Sequence, residues 1–163
     1  MYQIGDKISH PLHGGGLIEG IVSEKISGKR QEYYLLNFSH GTMTMKVPVE
    51  GTERCGVRPI VSPDQAEQVL AAITDMGTEE PDNWNKRHYE HMERIKSGNL
   101  FLVADSIKKL MLREKGKGLS TGEYKMLSQA KQIFFSELVM TLECSYDYLE
   151  ARLAEACGIL ETE

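Results

Sequence analysis

Along the first 60 residues, apolar and polar side chains alternate in short runs, and this pattern predicts β-strands. In the run 42–48, two methionines and a valine share one face, while two threonines and Lys46 share the other. Comparable runs at 7–10, 17–26 and 32–38 are separated by turns rich in glycine and serine. About five short strands in so short a span predict a small SH3-like or Tudor-like barrel.

From residue 64 onward, apolar side chains recur every three or four positions, which is typical of amphipathic helices. Each predicted helix follows a residue able to cap its N-terminus: Ser62, Asp82 or Asn83, Asn99, Ser120 and Ser145. The change of period predicts two domains, a β domain over 1–60 and a compact bundle of about five helices over 61–163. The predicted fold class is therefore α+β.

Composition narrows the class of protein. The apolar share of 40% supports a packed core, and the sequence has no run of 18 apolar residues that would predict a membrane span. The first residues lack the basic and apolar regions of a secretory signal. The three cysteines are odd in number and far apart, which favours a reducing cytoplasm over a disulfide framework.

The net charge of −5 is unevenly distributed along the chain. Residues 81–135 carry eleven Lys or Arg against six Asp or Glu, whereas the flanking segments 61–80 and 136–163 are acidic. Ordinary solvated helix faces would produce such a map. A small surface that binds a polyanion would produce it too, because local charge governs contact with phosphate.

Trp84 is the only tryptophan, and it lies near the start of the basic segment. Its neighbours are polar or cationic, and Lys86 and Arg87 fall in the first turn of the predicted helix, where cations oppose the helix dipole. Tryptophan is costly to expose, so one interpretation is a core anchor between helices. The other is a contact residue for a charged partner, since local rules are often broken at functional sites.

Candidate chemistry is sparse. The triplet Gly14–Gly16 lacks the lysine and following helix of a phosphate loop, so it is interpreted as a turn. The pairs His10 and His13, and His88 and His91, each fall short of a metal ligand set. We therefore predict no metal, no cofactor and no enzymatic activity. A metal-dependent enzyme that uses these histidines is kept as a rival hypothesis.

Several motifs, in this order and spacing, resemble one family of proteins. The resemblance covers nearly the whole chain, which is similar to the CarD/CdnL family of bacterial transcription regulators. The motifs are Gly5-Asp6, Pro11-Leu12-His13-Gly14-Gly15-Gly16, Lys46-Val47-Pro48, Gly56-Val57-Arg58, Asn83-Trp84-Asn85-Lys86-Arg87 and Gly118-Leu119-Ser120-Thr121-Gly122-Glu123.

The resemblance implies a Tudor-like domain that binds the β subunit of RNA polymerase, and a helical domain that contacts promoter DNA at the upstream edge of the transcription bubble. Trp84 corresponds to a minor-groove wedge that keeps the melted promoter open, without reading its sequence. The residues implied to contact DNA are Trp84, Asn83, Lys86, Arg87 and Lys125. Those implied to bind polymerase are Lys25, Met45, Lys46 and Val47. No membrane and no small-molecule substrate is implied.

An alternative keeps the docking role and drops DNA. In it, the β domain docks on polymerase or another partner, and the helical domain offers a second protein-binding surface, as the acidic C-terminal segment would allow. Both hypotheses predict a cytoplasmic protein, associated with the nucleoid if polymerase is the partner. They differ at Trp84, which the wedge hypothesis requires to be at least partly exposed beside Lys86 and Arg87.

Overall fold

The structure is a computed structural model that describes residues 1–38 and 43–159. Its N-terminal part forms one antiparallel sheet. The strand order is β4-β3-β2-β1-β5, so β4 and β5 form the two edges. Where the strands lie along the chain agrees closely with the alternation of apolar residues. Their bounds are β1 Lys7–His10, β2 Gly14–Ile26, β3 Lys29–Phe38, β4 Thr44–Pro48 and β5 Arg58–Pro59.

The turns of the sheet depart from the prediction in one place. A tight turn at Ser27 and Gly28, both with positive φ, joins β2 to β3, as expected. Gly14–Gly16, predicted as a turn, instead form the first residues of β2 and pair with β1. The predicted turn at 39–41 and the first residue of the predicted strand 42–49 lie outside the described residues.

The C-terminal part contains five α-helices, and the predicted α+β fold is confirmed. Their N-terminal caps follow the sequence closely: Ser62 and Ser120 each complete a capping box, and Asn83, Asn99 and Ser145 cap by accepting a backbone N–H. The bounds are α1 Pro63–Ala72, α2 Trp84–Ile95, α3 Leu100–Lys115, α4 Thr121–Leu142 and α5 Tyr146–Ala156. None of the helices in the described ranges is both long and apolar enough to cross a membrane.

Each part has its own apolar core. The sheet buries one cluster on its inner face, led by Ile8, Tyr34 and Phe38. The helices bury a larger cluster centred on α3 and α4, which includes Ile107 and Phe134. Burial of apolar side chains at about 25 cal/mol per Å² is the main stabilising term in both clusters.

The two parts meet where the glycine triplet lies on α4. The N–H of Gly15 donates to Ser136 Oγ at 2.9 Å. A Cβ on Gly15 would lie 2.7 Å from the Ser136 carbonyl oxygen, and one on Gly14 would lie 2.1 Å from Ser136 Oγ. The glycines are therefore required by a close approach of strand and helix, and this is the physical reason that the turn interpretation was wrong.

A buried lysine closes the end of α1. Lys108 was counted in the basic segment, yet its side chain enters the core and its Nζ donates to the carbonyls of Ile73, Thr74 and Met76. These carbonyls lie just after α1, where the last carbonyls of a helix have no partner within the helix itself. The cation also lies where the helix dipole favours positive charge, so Lys108 is a structural residue and not part of any surface.

Candidate nucleic-acid interface

Helix α2 turns its aromatic residues outward and buries polar ones. Its buried stripe is Arg87, His91 and Ile95, spaced four residues apart. Trp84 keeps 46% of its surface exposed, and Tyr89 keeps 66%. An ordinary amphipathic helix would do the reverse, so the exposure of these rings has to be explained by function or by a partner.

The Trp84 ring is held in place although it is half exposed. It stacks on His88, one turn further along α2, with ring centroids 5.1 Å apart and an interplanar angle of 22°. Its edge lies over the start of α4, because a Cβ on Gly122 would be 3.9 Å from Trp84 Cζ2. The indole is therefore supported on one side and open on the other. The core-anchor interpretation is wrong, and the predicted exposure is confirmed.

Arg87 is buried, although the resemblance implied that it contacts DNA. Only 6% of its surface is exposed. Its Nη1 donates to the carbonyls of Pro81 and Asp82, at 3.3 and 2.9 Å, and its Nε lies 3.8 Å from a carboxylate oxygen of Glu123. The guanidinium thus ties the segment before α2 to the first turns of α2 and α4. This tie accounts for a cation in a first helical turn, where the dipole disfavours it.

A polar network under α2 continues this tie. His91 Nε2 lies 2.8 Å from Glu80 Oε1, and His91 Nδ1 lies 2.9 Å from Ser106 Oγ. Burial lowers the pKa of His91, although Glu80 opposes the shift. Arg113 Nη1 lies 3.4 Å from Glu80, and Arg113 Nε lies 3.3 Å from Glu123. These hydrogen bonds and ion pairs join α2 to its neighbouring segments. They therefore fix the rotation of α2 about its axis, and with it the direction of the Trp84 ring.

The surface cations are fewer than the sequence suggested. Six of the eleven in 81–135 are engaged by carboxylates or carbonyls, namely Arg87, Arg94, Lys108, Lys109, Arg113 and Lys131. Among the described residues, the other five are exposed and form no ion pair: Lys86, Lys96, Lys115, Lys117 and Lys125. These five are the cations that phosphate could reach.

Three of these five cations, Lys86, Lys117 and Lys125, lie on the elements next to Trp84. Lys86 lies one turn or less from the ring along α2, and Lys125 follows Gly122 in the first turns of α4. The loop after α3, which contains Lys117 and follows Lys115, lines a cavity of about 380 Å³ together with Asp82 and Arg87. The starts of α2 and α4 and the loop between α3 and α4 therefore meet at one end of the bundle. We call this end the Trp84 surface.

The residues implied to bind polymerase divide between the two faces of the sheet. The register pairs Tyr34 with Val47 and Leu36 with Met45, and all four side chains face the core. Val47 is only 2% exposed, so it is not available as a contact residue, and Met45 packs against the same core. This corrects the choice of both residues, because strand alternation places them opposite Lys46.

Lys46 lies on the outer face of the sheet, where it forms an ion pair with Glu24. The strand register places Lys46 opposite Leu35. On the same face, Tyr33 lies between Pro48 of β4 and Val22 of β2. These outer residues are only half-buried, and they form an apolar patch that the sequence interpretation missed. The alternation that identified Lys46 could have found the patch, since Tyr33 and Leu35 share one face of β3. Lys25 is exposed, but it projects from the opposite side of β2 from Glu24.

The histidines do not come together as the enzyme hypothesis would need. His10 ends β1 and His13 lies in the turn before β2, with ring centroids 4.9 Å apart, and burial and the neighbouring His13 lower the pKa of His10 to about 4. Both ring nitrogens of His91 are hydrogen-bonded, and His88 lies under Trp84. Within residues 1–38 and 43–159, no three His, Cys, Asp or Glu side chains are grouped as metal ligands would be.

Comparison with known proteins agrees with both halves of the molecule. Residues 68–154 match the model of the CarD C-terminal domain, and residues 2–61 match that of the CarD-like/TRCF RID domain. The chain belongs to the CarD/CdnL family. It is also 30% identical over 138 residues to YdeB of Bacillus subtilis (strain 168), a protein named as a candidate transcription factor. The aligned residues cover 85% of this chain and 90% of YdeB.

Membership of this family makes the protein a transcription regulator of a kind related to RNA polymerase interaction. The family is one of transcription factors and not of enzymes. The Trp84 surface lies in the part that matches the CarD C-terminal domain, and the outer face of the sheet lies in the part that matches the RID domain.

Proposed function

We propose that the protein binds the β subunit of RNA polymerase through its β domain, residues 1–60, and stabilises the open promoter complex through its helical domain, residues 61–163. The observation that carries this proposal is the half-exposed Trp84 ring, which stacks on His88 and has exposed lysines on the neighbouring elements. As a partner of polymerase, the protein would work in the cytoplasm at the nucleoid.

The Trp84 surface suits DNA that is already melted. A flat apolar ring fills the space beside an unstacked base step, and it offsets an unstacking cost of about a few kcal/mol. Lys86, Lys125 and Lys117 would hold the phosphates on either side, and Asn83 lies at the same helix start with its Oδ1 used as the cap. Such phosphate contacts position a protein on DNA without reading its sequence.

Arg87 has an indirect role in this proposal. Since its guanidinium is committed to Pro81, Asp82 and Glu123, it does not reach phosphate in this conformation. It fixes the start of α2, and thereby the direction in which the Trp84 ring points. The proposed DNA contacts are therefore Trp84, Asn83, Lys86 and Lys125, with Lys117 added and Arg87 as a positioning residue.

The outer face of the sheet suits a protein partner. Tyr33, Leu35 and Pro48 form an apolar patch, and Lys46 beside it supplies charge. An aromatic and aliphatic centre with a charged rim is typical of protein interfaces. Strand β4, which carries Lys46, is an edge strand of the sheet. The backbone groups along its free edge could therefore pair with a strand of the partner.

An acidic protein can contact DNA in this way because polymerase provides most of the DNA affinity. Once the β domain is bound, the second contact is intramolecular, and its effective concentration reaches about the millimolar range. A handful of phosphate contacts is then sufficient. The net charge of −5 also disfavours binding to free DNA, which confines the contact to promoters already held by polymerase.

Replacing Lys46 with glutamate should weaken binding to the β subunit by about tenfold or more, since like charges at an interface cost several kcal/mol. The new carboxylate would also face Glu24 in place of the present ion pair. Affinity is measured by titration of the isolated β subunit. Lys96→Glu, an equal change of charge on an exposed residue of the helical domain, is the control. Equal affinities for both variants would contradict the assignment of the outer face.

A second candidate function is a protein adaptor that docks on polymerase or another partner without touching DNA. The exposed Phe101 and Leu102 at the start of α3 favour it, because adjacent exposed apolar side chains suit a protein surface. The two candidates predict different neighbours for Trp84 on the promoter. In the first its neighbour is DNA, and in the second it is protein.

A further inference from the structure

An ion pair between a half-exposed arginine and a buried glutamate joins the sheet to the helical bundle. Arg58 of β5 donates to both carboxylate oxygens of Glu137 in α4, at 2.7 and 2.9 Å. Glu137 is fully buried, and its Oε2 also accepts the N–H of Val61 at 2.9 Å. A two-pronged Arg–carboxylate contact is directional as well as strong, so it fixes both the distance and the angle between the two elements.

Arg58 also reaches a third element. Its Nε donates to the carbonyl of Gly98, in the loop between α2 and α3, at 3.1 Å. One side chain from the edge of the sheet therefore holds α4 and the loop that ends α2. On the far side of the chain segment between the domains, Thr141 Oγ1 donates to the carbonyl of Val61 at 3.0 Å. The segment that joins the domains is thus held against α4 at more than one point.

The contact between the glycines of β2 and Ser136 of α4, which we call the glycine seam, leaves little room for the domains to slide. Gly14 and Gly15 lie so close to α4 that a methyl group on either would overlap Ser136. Packed surfaces of this kind have a single good arrangement, since even one added methylene is felt. Separating the domains would also strand Glu137 without Arg58, and an unpaired buried charge is strongly destabilising.

We propose that Arg58 and Glu137 lock the two domains into one rigid body, and that this lock is itself required for stabilisation of the open complex. The inference rests on the proposed function. In it, the lock sets the distance and direction from the polymerase-binding outer face to Trp84. Arg58 and Glu137 are positioning residues that touch neither partner.

A flexible tether makes the opposite prediction. If the two domains only needed to be linked, loosening them would leave the effective concentration of the second contact high, and the open complex would keep its lifetime. A wedge has to enter one base step at one angle, which is a demand on geometry and not on concentration alone. The two accounts therefore separate when the domains are loosened but remain joined.

The test is the double variant Arg58→Gln/Glu137→Gln in the full chain. Both charges are removed together, so no unpaired charge is left buried. The control is Arg152→Gln/Glu67→Gln, which removes an ion pair of 2.8 Å on the surface of the helical domain alone. Three quantities are measured for each: β-subunit affinity, rotational correlation times of the two domains from NMR relaxation, and open-complex lifetime with cognate polymerase.

In the lock variant we expect unchanged β-subunit affinity, separate and shorter correlation times for the two domains, and a lifetime reduced by about fivefold or more, the range of coupling between linked sites. The control should match the parent protein in all three. The proposal is overturned if the domains loosen and the lifetime is unchanged, or if they still tumble together. A Trp84→Ala protein that also leaves the lifetime unchanged would instead count against the proposed function.

If the double variant fails to fold, Arg58→Lys provides the same comparison. Lysine keeps a positive charge beside the Glu137 carboxylate. It cannot make the two-pronged contact and reach the Gly98 carbonyl at the same time. We expect a stable protein with broader interdomain motion and a lifetime between those of the parent and the protein-free promoter. A lifetime equal to that of the parent, in a variant with measurably looser domains, would overturn the requirement for rigidity.

Discussion

Replacing Trp84 with alanine should shorten the open-complex lifetime by about tenfold or more, because filling an unstacked step is worth about a few kcal/mol and each 1.4 kcal/mol is tenfold. The fold should change little, since the ring is half exposed and stacks on His88 at the edge of the bundle. Affinity for the β subunit should be unchanged because that contact lies in the other domain. The measurement is promoter dissociation after competitor challenge.

Tyr89→Ala is the matched control for this prediction. Tyr89 is an exposed aromatic residue of the same helix, but it lies five positions from Trp84 and so on a different side of α2. We expect the Tyr89 variant to keep most of the lifetime. If both variants lose it equally, the effect comes from exposed aromatic surface in general, and if neither loses it, Trp84 is not a wedge.

Gly14→Ala should cost the most stability of the single changes considered, by about 2–5 kcal/mol. A positive φ costs about 1–2 kcal/mol for a residue with a Cβ, and overpacking adds about 1–3 kcal/mol. Both conditions apply, because Gly14 has a φ of +76° and its added Cβ would lie 2.1 Å from Ser136 Oγ. The measurement is the free energy of unfolding from denaturant titration.

Gly5→Ala separates these two causes. Gly5 has a φ of +96°, but a Cβ there would meet no atom within 4 Å. This variant should therefore lose only about 1–2 kcal/mol, the backbone contribution. The difference between the two variants is the cost of forcing β2 away from α4. If the two variants were equally stable, the seam between the domains would not be tightly packed.

Much of the fold could be predicted from the sequence because it is encoded locally. Strands and helices differ in the period of their apolar residues, and the helix starts were marked by capping residues whose hydrogen bonds span only three positions. Ser120 and Glu123 form the capping box that their spacing predicted. Such signals depend on neighbours in the chain and need no tertiary information.

Contacts between distant segments account for what the sequence did not reveal. Arg87 looked like a surface cation because its charged partner, Glu123, comes near only when α4 packs on α2, and because the backbone carbonyls of Pro81 and Asp82 leave no signal in the sequence. Lys108 looked solvated for the same reason, although three carbonyls near the end of α1 surround it. In both cases a buried partner overrode the rule that charged side chains face water.

The same limit applies to the candidate site. The exposure of Trp84 was predicted only from its polar neighbours and from a resemblance, since the cost of exposing a tryptophan favoured a core position. What turns the ring outward is the polar stripe of Arg87 and His91, whose partners lie on other elements. For β4, the alternation correctly separated Lys46 from Met45 and Val47, but it did not say which face would meet the core.

Photocrosslinking from Asn85, the exposed neighbour of Trp84, tests the central claim most directly. A photoreactive phenylalanine derivative is placed there, and at Lys96 beyond the other end of α2 as a control, in complexes of the protein with polymerase and promoter. We predict crosslinks from position 85 to DNA at the upstream edge of the bubble, dependent on polymerase, and none to DNA from position 96. Crosslinks from position 85 to protein subunits alone would contradict the DNA contact and favour the adaptor.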